Sequence, residues 1–146
     1  MATSTTSSRK RKLGVALWIL QGLLAATFLC TGGMKLLLPA DLLAESTPLP
    51  ILFVRFIGLC EFLGALGLIL PGLLRIRPGL TPLAAAGLVP IMIGATLLTP
   101  TLMGADVLLA LIPLTFGVLA GLVAYGRARL APQQPRSSQS VLALAG

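Results

Sequence analysis

The feature that most constrains this chain is a set of four long apolar runs, at about 13–33, 51–70, 80–98 and 105–125. About 20 helical residues span the roughly 30 Å hydrocarbon core of a bilayer. The chain is 56% hydrophobic and 10% charged, whereas about a quarter of the residues of a soluble domain are charged. We therefore predict an all-α, multi-pass integral membrane protein folded as a four-helix bundle in the lipid bilayer.

The distribution of charge predicts the orientation of the spans. Basic residues cluster in 9–12, 75–77 and 127–136, which a four-span topology places on one side, whereas Asp41, Glu45 and Asp106 fall on the other. Because basic residues accumulate in cytoplasmic segments, we expect both termini in the cytoplasm and the protein in the cell inner (plasma) membrane. The basic clusters form no basic face with interleaved aromatic residues, so nucleic acid is not an expected partner.

Three regions follow along the chain. Residues 1–12 are predicted to be a disordered basic head, residues 13–130 the transmembrane domain, and the Pro-, Ser- and Gln-containing residues 131–146 a disordered tail. A basic head before an apolar run is also how a secretory signal peptide begins. The length of the run 13–33 favours a retained span over that alternative.

The second span carries a carboxylate, Glu61, among apolar residues. On a helical wheel the residues within about 60° of Glu61 include the small ones, namely Gly58, Gly64 and Ala65. Bulky side chains lie on the opposite side, and in membranes small residues mark helix contacts. We therefore expect Glu61 to point into the bundle, about 15 Å from the start of the span and near the midplane.

Two polar residues of other spans, Gln21 and Thr115, are the predicted hydrogen-bond partners of Glu61. Lys35 lies at the outer end of the first span and is expected to be too shallow unless water enters the bundle. Arg55, about 6 Å deep, is expected to reach the outer surface with its long side chain. Without a nearby cation, Glu61 should be protonated near neutral pH or face a water-filled cavity.

Two interpretations of Glu61 remain open. An intramembrane ionisable residue is by default a proton-exchanging or ligand-binding group. The alternative is that a protonated Glu61 bonds to Gln21 and fixes the register of two helices. Gly117 and Gly121 have the GxxxG spacing of close helix approach, either within the chain or in a dimer.

No catalytic residue set or metal site is predicted. The chain contains no histidine and only two cysteines, Cys30 and Cys60, which are far apart in sequence. This composition excludes Ser-His-Asp chemistry and histidine or CxxC metal sites.

Three stretches resemble the DoxX-like family of small bacterial four-span membrane proteins: FLCTGGMKL at 28–36, RFIGLCEFLGALGLILPGL at 55–73 and LTPLAAAGLVPIMIGA at 80–95. The resemblance extends over about 13–130. It places Lys35, Gly58 and Glu61 at the family's characteristic polar and small positions, and it implies a four-helix bundle in the inner membrane. Members of this family often carry a histidine near the end of the third span, where this chain reads GATLLTP.

Three functions are considered as alternatives, the first two in line with what the resemblance implies and the third from the single intramembrane carboxylate, Glu61. The first is a non-catalytic subunit or assembly factor of a membrane oxidoreductase system, with a membrane or redox protein as partner. The second is a subunit that binds quinone, with Glu61 as the proton acceptor and a partner as the electron source. The third is a small proton-coupled exporter, which would act as a homo-oligomer. No resident cofactor is predicted; quinone is the one cofactor left open.

Overall fold

A computed structural model describes residues 3–74, 77, 79–102, 104 and 106–130, with side chains from Ser8 onward. Within these residues the secondary structure is helical, as the apolar runs predict. The α-helices are α1 (Thr3–Leu37), α2 (Ala40–Ser46), α3 (Ile51–Leu74), α4 (Leu80–Leu102) and α5 (Val107–Tyr125), and a π-helical turn, Gly126–Leu130, continues α5.

Four helical segments of the described chain are long and apolar enough to cross a membrane: Ser8–Leu37, Ile51–Leu74, Leu80–Leu102 and Val107–Leu130. Their number agrees with the sequence prediction, and each of them runs further than predicted. Helix α1 includes residues 3–12, where a disordered head was predicted. The Arg and Lys residues at 9–12 are good helix formers and extend a helix that is already nucleated by the apolar run. The predicted tail, 131–146, lies outside the described residues.

The long helices pack in chain order. Helix α1 packs along α3, α3 along α4 and α4 along α5, whereas α5 meets α1 over a smaller area. The core between them is made of Leu, Met, Phe, Val and Ala side chains, among them Leu24, Phe28, Leu68 and Leu88, and the centre of the Phe28 ring lies 6.0 Å from that of Phe116. Many large apolar side chains face outward, which suits a lipid environment.

The C-terminal end of α1 determines how α1 meets α3. The helix ends at Leu37, two residues before Pro39, and short α2 then leads to α3. Pro disfavours the helical conformation of the residue before it, so the chain turns here. The guanidinium of Arg55 donates hydrogen bonds of 3.4 Å each to the carbonyl oxygens of Leu36 and Leu38, which ties this end of α1 to the second turn of α3.

Candidate functional site

Two glycines bring α1 and α3 into direct backbone contact. A Cβ atom on Gly32 would lie 2.7 Å from the carbonyl oxygen of Gly58 and 2.9 Å from the backbone nitrogen of Phe62. A Cβ atom on Gly58 would lie 2.7 Å from the Cβ of Lys35. Lys35 is therefore level with Gly58, which is three residues, or about 4.5 Å along the helix, from Glu61.

The carboxylate of Glu61 is held by two side chains of α1. The ammonium of Lys35 donates to both of its oxygens, at 2.8 Å to Oε1 and 2.7 Å to Oε2, and the hydroxyl of Thr31 donates to Oε2 at 3.3 Å. Glu61 is 3% exposed, whereas the side chain of Lys35 is 32% exposed. Hydrogen bonds between charged groups are shorter and stronger than neutral ones, so this group is a firm connection between α1 and α3.

The inward orientation of Glu61 is confirmed, but the prediction that Lys35 is too shallow to reach it is wrong. The expectation that Glu61 lacks a nearby cation is wrong for the same reason. Helix α1 continues to Leu37, so Lys35 lies within the helix, and Gly58 admits its backbone close to α3. Thr31 was not singled out, although its position one helical turn before Lys35 places both side chains on one face.

Gln21 lies in a second polar cluster, so its predicted hydrogen bond with Glu61 is wrong. Its amide nitrogen donates to the carbonyl oxygen of Leu68 at 2.7 Å, and its amide oxygen accepts a hydrogen bond from Nε of Arg127. The guanidinium carbon of Arg127 also lies 5.5 Å from the centre of the Trp18 ring, a cation–π arrangement. This cluster joins α1 to α3 and to the turn that follows α5.

Arg127 was predicted only as a topology-determining charge, but it is buried. The turn Gly126–Leu130 packs onto α1, because a Cβ on Gly126 would lie 2.8 Å from Cδ2 of Leu17. Trp18 and Gln21 are three residues apart and therefore lie on one face of α1. This spacing is the sequence signal that could have indicated a polar cluster there.

Thr115 is exposed, and its hydroxyl donates to the carbonyl oxygen of Leu111 in its own helix at 2.7 Å. Its predicted bond with Glu61 is therefore wrong. The hydroxyl of a threonine in a helix often donates a hydrogen bond to a carbonyl oxygen of the preceding turn. A helical wheel of one span does not show which acceptor the hydroxyl uses. Arg55 is bonded to the end of α1 rather than to Glu61.

The remaining glycines predicted to pack helices lie against neighbours within the chain. A Cβ on Gly64 would lie 2.7 Å from Leu88 of α4, and one on Gly117 would lie 3.0 Å from the Cβ of Met92. A Cβ on Gly121 would be 4.0 Å from Val89. The GxxxG pair of α5 thus faces α4 of the same chain.

The cluster of Thr31, Lys35 and Glu61 is reached from one side. Thr31 is exposed and Lys35 half-buried, whereas Glu61 lies behind them. Among the described residues, no group of three or more His, Cys, Asp or Glu side chains could hold a metal ion. The arrangement can hold helices together, and its exposed edge can donate hydrogen bonds to a molecule in the bilayer.

These features define a helical membrane protein with four candidate spans, two of which are joined by an ion pair between the half-buried Lys35 and the buried Glu61. The model of the DoxX-like family matches residues 19–123, a stretch that contains Lys35, Gly58 and Glu61. The chain belongs to the DoxX-like family. It matches no curated protein and no solved structure.

Proposed function

We propose that the chain is a non-catalytic subunit or assembly factor of a membrane oxidoreductase system, in the inner membrane with both termini in the cytoplasm. The observation that carries the proposal is that its inward polar groups hold helices to one another. Glu61 is bound by Lys35 and Thr31, and Arg127 by Gln21. A catalytic acid or base needs contact with its substrate, whereas Glu61 is almost fully enclosed.

The described connections between spans are short, so contact with a partner would involve the membrane helices. The outer half of α5 suits such contact. Between Val107 and Thr115, Ala110 is the buried residue, and most of the others are exposed on several sides of the helix. This half of α5 packs on α4 along one side only and leaves the rest of its apolar surface exposed, so it can pack against a transmembrane helix of a partner.

Affinity purification from native membranes in mild detergent, followed by mass spectrometry of proteins and lipids, tests the proposal. We expect a stoichiometric redox protein to be recovered. Leu111→Trp, on the exposed face of α5, should reduce its recovery, while Leu63→Trp, on the exposed face of α3, serves as the matched control. Recovery of a homo-oligomer without a partner would contradict the proposal and favour the exporter alternative.

A second candidate function, quinone binding, is favoured by the exposed edge of the Lys35–Glu61 pair. Reduction of a quinone to a quinol takes up two electrons and two protons per molecule. The exposed Lys35 ammonium could donate a hydrogen bond to a quinone carbonyl oxygen, and Glu61 could take part in proton transfer, with electrons supplied by the partner. Glu61→Gln should then lower both the bound quinone and electron transfer; unchanged values of both would exclude this function.

A further inference from the structure

An open groove of about 680 Å³ lies on the outer surface where the end of α1 meets the start of α3. Its walls are formed by apolar residues, which include Leu36, Leu52, Phe53, Phe56 and Leu59. Arg55 also lines the groove and is charged. The lining extends from Pro50 to Leu59, about 14 Å along a helix. This length is close to the roughly 15 Å depth of one leaflet of the hydrocarbon core.

Arg55 brings an uncompensated positive charge to this groove. Its two hydrogen bonds, to the carbonyl oxygens of Leu36 and Leu38, are long, at 3.4 Å each. In the part of the chain that the structure describes, Lys35 forms an ion pair with Glu61, whereas no carboxylate pairs with Arg55. A guanidinium has five N–H donors, so Arg55 retains donors for another acceptor.

We propose that the groove binds one anionic phospholipid. The headgroup phosphate accepts hydrogen bonds from Arg55, because the planar guanidinium matches the geometry of two phosphate oxygens. One acyl chain lies along the apolar wall of Leu52, Phe56 and Leu59. Arg55 is four residues from the start of α3, about 6 Å deep, so its long side chain reaches the headgroup region.

The charge of Arg55 decides between a lipid and an apolar helix of a partner as the occupant of the groove. A partner helix seated there would enclose the guanidinium against hydrocarbon without an anion, and burying an unpaired charge is costly. A phosphate neutralises the same charge while the acyl chain fills the groove. The lipid therefore satisfies both the polar and the apolar part of the surface.

Native mass spectrometry of the purified full chain tests the assignment. The probes are phosphatidylglycerol, phosphatidylcholine with the same acyl chains, and glycerophosphate, which carries the phosphate without acyl chains. We expect the wild-type protein to retain phosphatidylglycerol preferentially, and Arg55→Gln to weaken its binding about fivefold. Arg129→Gln removes an exposed charge at the other end of the protein and should leave binding unchanged. Arg55→Lys, which keeps the charge, should restore part of the preference.

A second pair of variants tests the acyl part of the site without touching Arg55. Leu59→Trp adds bulk to the groove, whereas Leu63→Trp adds the same bulk one turn further along the exposed face of α3. We expect Leu59→Trp alone to displace the lipid. Equal binding of both lipids, equal effects of Arg55→Gln and Arg129→Gln, or equal effects of the two tryptophan variants would overturn the proposal. If glycerophosphate bound as tightly as the lipid, the proposed contact of an acyl chain with the groove would be contradicted.

Discussion

Gly32 and Gly58 lie backbone to backbone where α1 crosses α3: the Cβ of an alanine at Gly32 would stand 2.7 Å from the Gly58 carbonyl oxygen, and one at Gly58 would stand 3.0 Å from the Gly32 oxygen. Side chains of these two helices therefore meet at short range. The bonds of Glu61 to Lys35 and Thr31 depend on this approach.

Gly32→Ala should separate α1 from α3. The added methyl group meets backbone atoms of α3, which cannot turn away as a flexible side chain could. Overpacking of this kind costs about 1–3 kcal/mol in unfolding free energy. Unfolding by a denaturing detergent in mixed micelles would measure the loss.

Gly33→Ala is the matched control for that substitution. It is the next residue in the same helix, and a Cβ there meets nothing within 4 Å. Since alanine is a better helix former than glycine, this variant should be as stable as the wild type or more so. If both variants lost the same unfolding free energy, the close contact with Gly58 would not be the reason that position 32 requires glycine.

The Lys35–Glu61 pair should show unequal effects when either partner is removed. Lys35→Met leaves the buried Glu61 carboxylate without its cation, and breaking a buried pair in this way costs about 3–5 kcal/mol. The partial exposure of Lys35 places the expected loss at the lower end of that range. Glu61→Met should cost less, because the freed ammonium can turn toward the surface.

The double variant, Lys35→Met with Glu61→Met, separates the pair from the individual side chains. It removes both charges together, so we expect its loss to be smaller than the sum of the two single losses. Unfolding free energies of the four proteins in the same mixed micelles give this coupling. Strictly additive losses would mean that the two side chains contribute independently.

The sequence predicted which way Glu61 points but not what it meets. Which residues of α3 face inward follows from the 100° spacing of successive side chains around one helix. The residues buried on the same side as Glu61 include Val54, Gly58, Ala65 and Leu68. Which side chain pairs with Glu61 depends on how far α1 is shifted along its axis relative to α3. The periodicity of a single helix does not specify that shift. Lys35 was predicted to lie at the end of the first span and too shallow for Glu61, whereas α1 continues to Leu37 and Lys35 reaches the carboxylate.

The second polar cluster, of Gln21 and Arg127, was missed for a related reason. Arg127 stands in a sequence position typical of a cytoplasmic flanking charge, and the pattern of the fourth span gives no reason to bury it. Its burial depends on the π-helical turn Gly126–Leu130, and on the fit of Gly126 against Leu17. Both are properties of the packed helices rather than of the local sequence.

The predicted orientation can be tested by cysteine labelling in cells. In a background with Cys30→Ser and Cys60→Ser, we expect Glu45→Cys, on exposed α2, to react with a membrane-impermeant maleimide in intact cells. Ser8→Cys should react only after permeabilisation, because basic residues favour the cytoplasmic side. The reverse pattern of labelling would contradict cytoplasmic termini.

Gln21→Leu should loosen the C-terminal end of α5. Gln21 is fully buried and bonds both the Leu68 carbonyl and Arg127, and leaving such buried groups without a partner costs about 1–3 kcal/mol. Amide hydrogen exchange should increase in 123–130, together with a lower unfolding free energy. Thr27→Val is the matched control, because the Thr27 hydroxyl bonds only to Leu23 of its own helix. If both variants exchange alike, Gln21 does not hold α5 to α1; a selective increase in Gln21→Leu would identify it as the residue that connects the first and last spans.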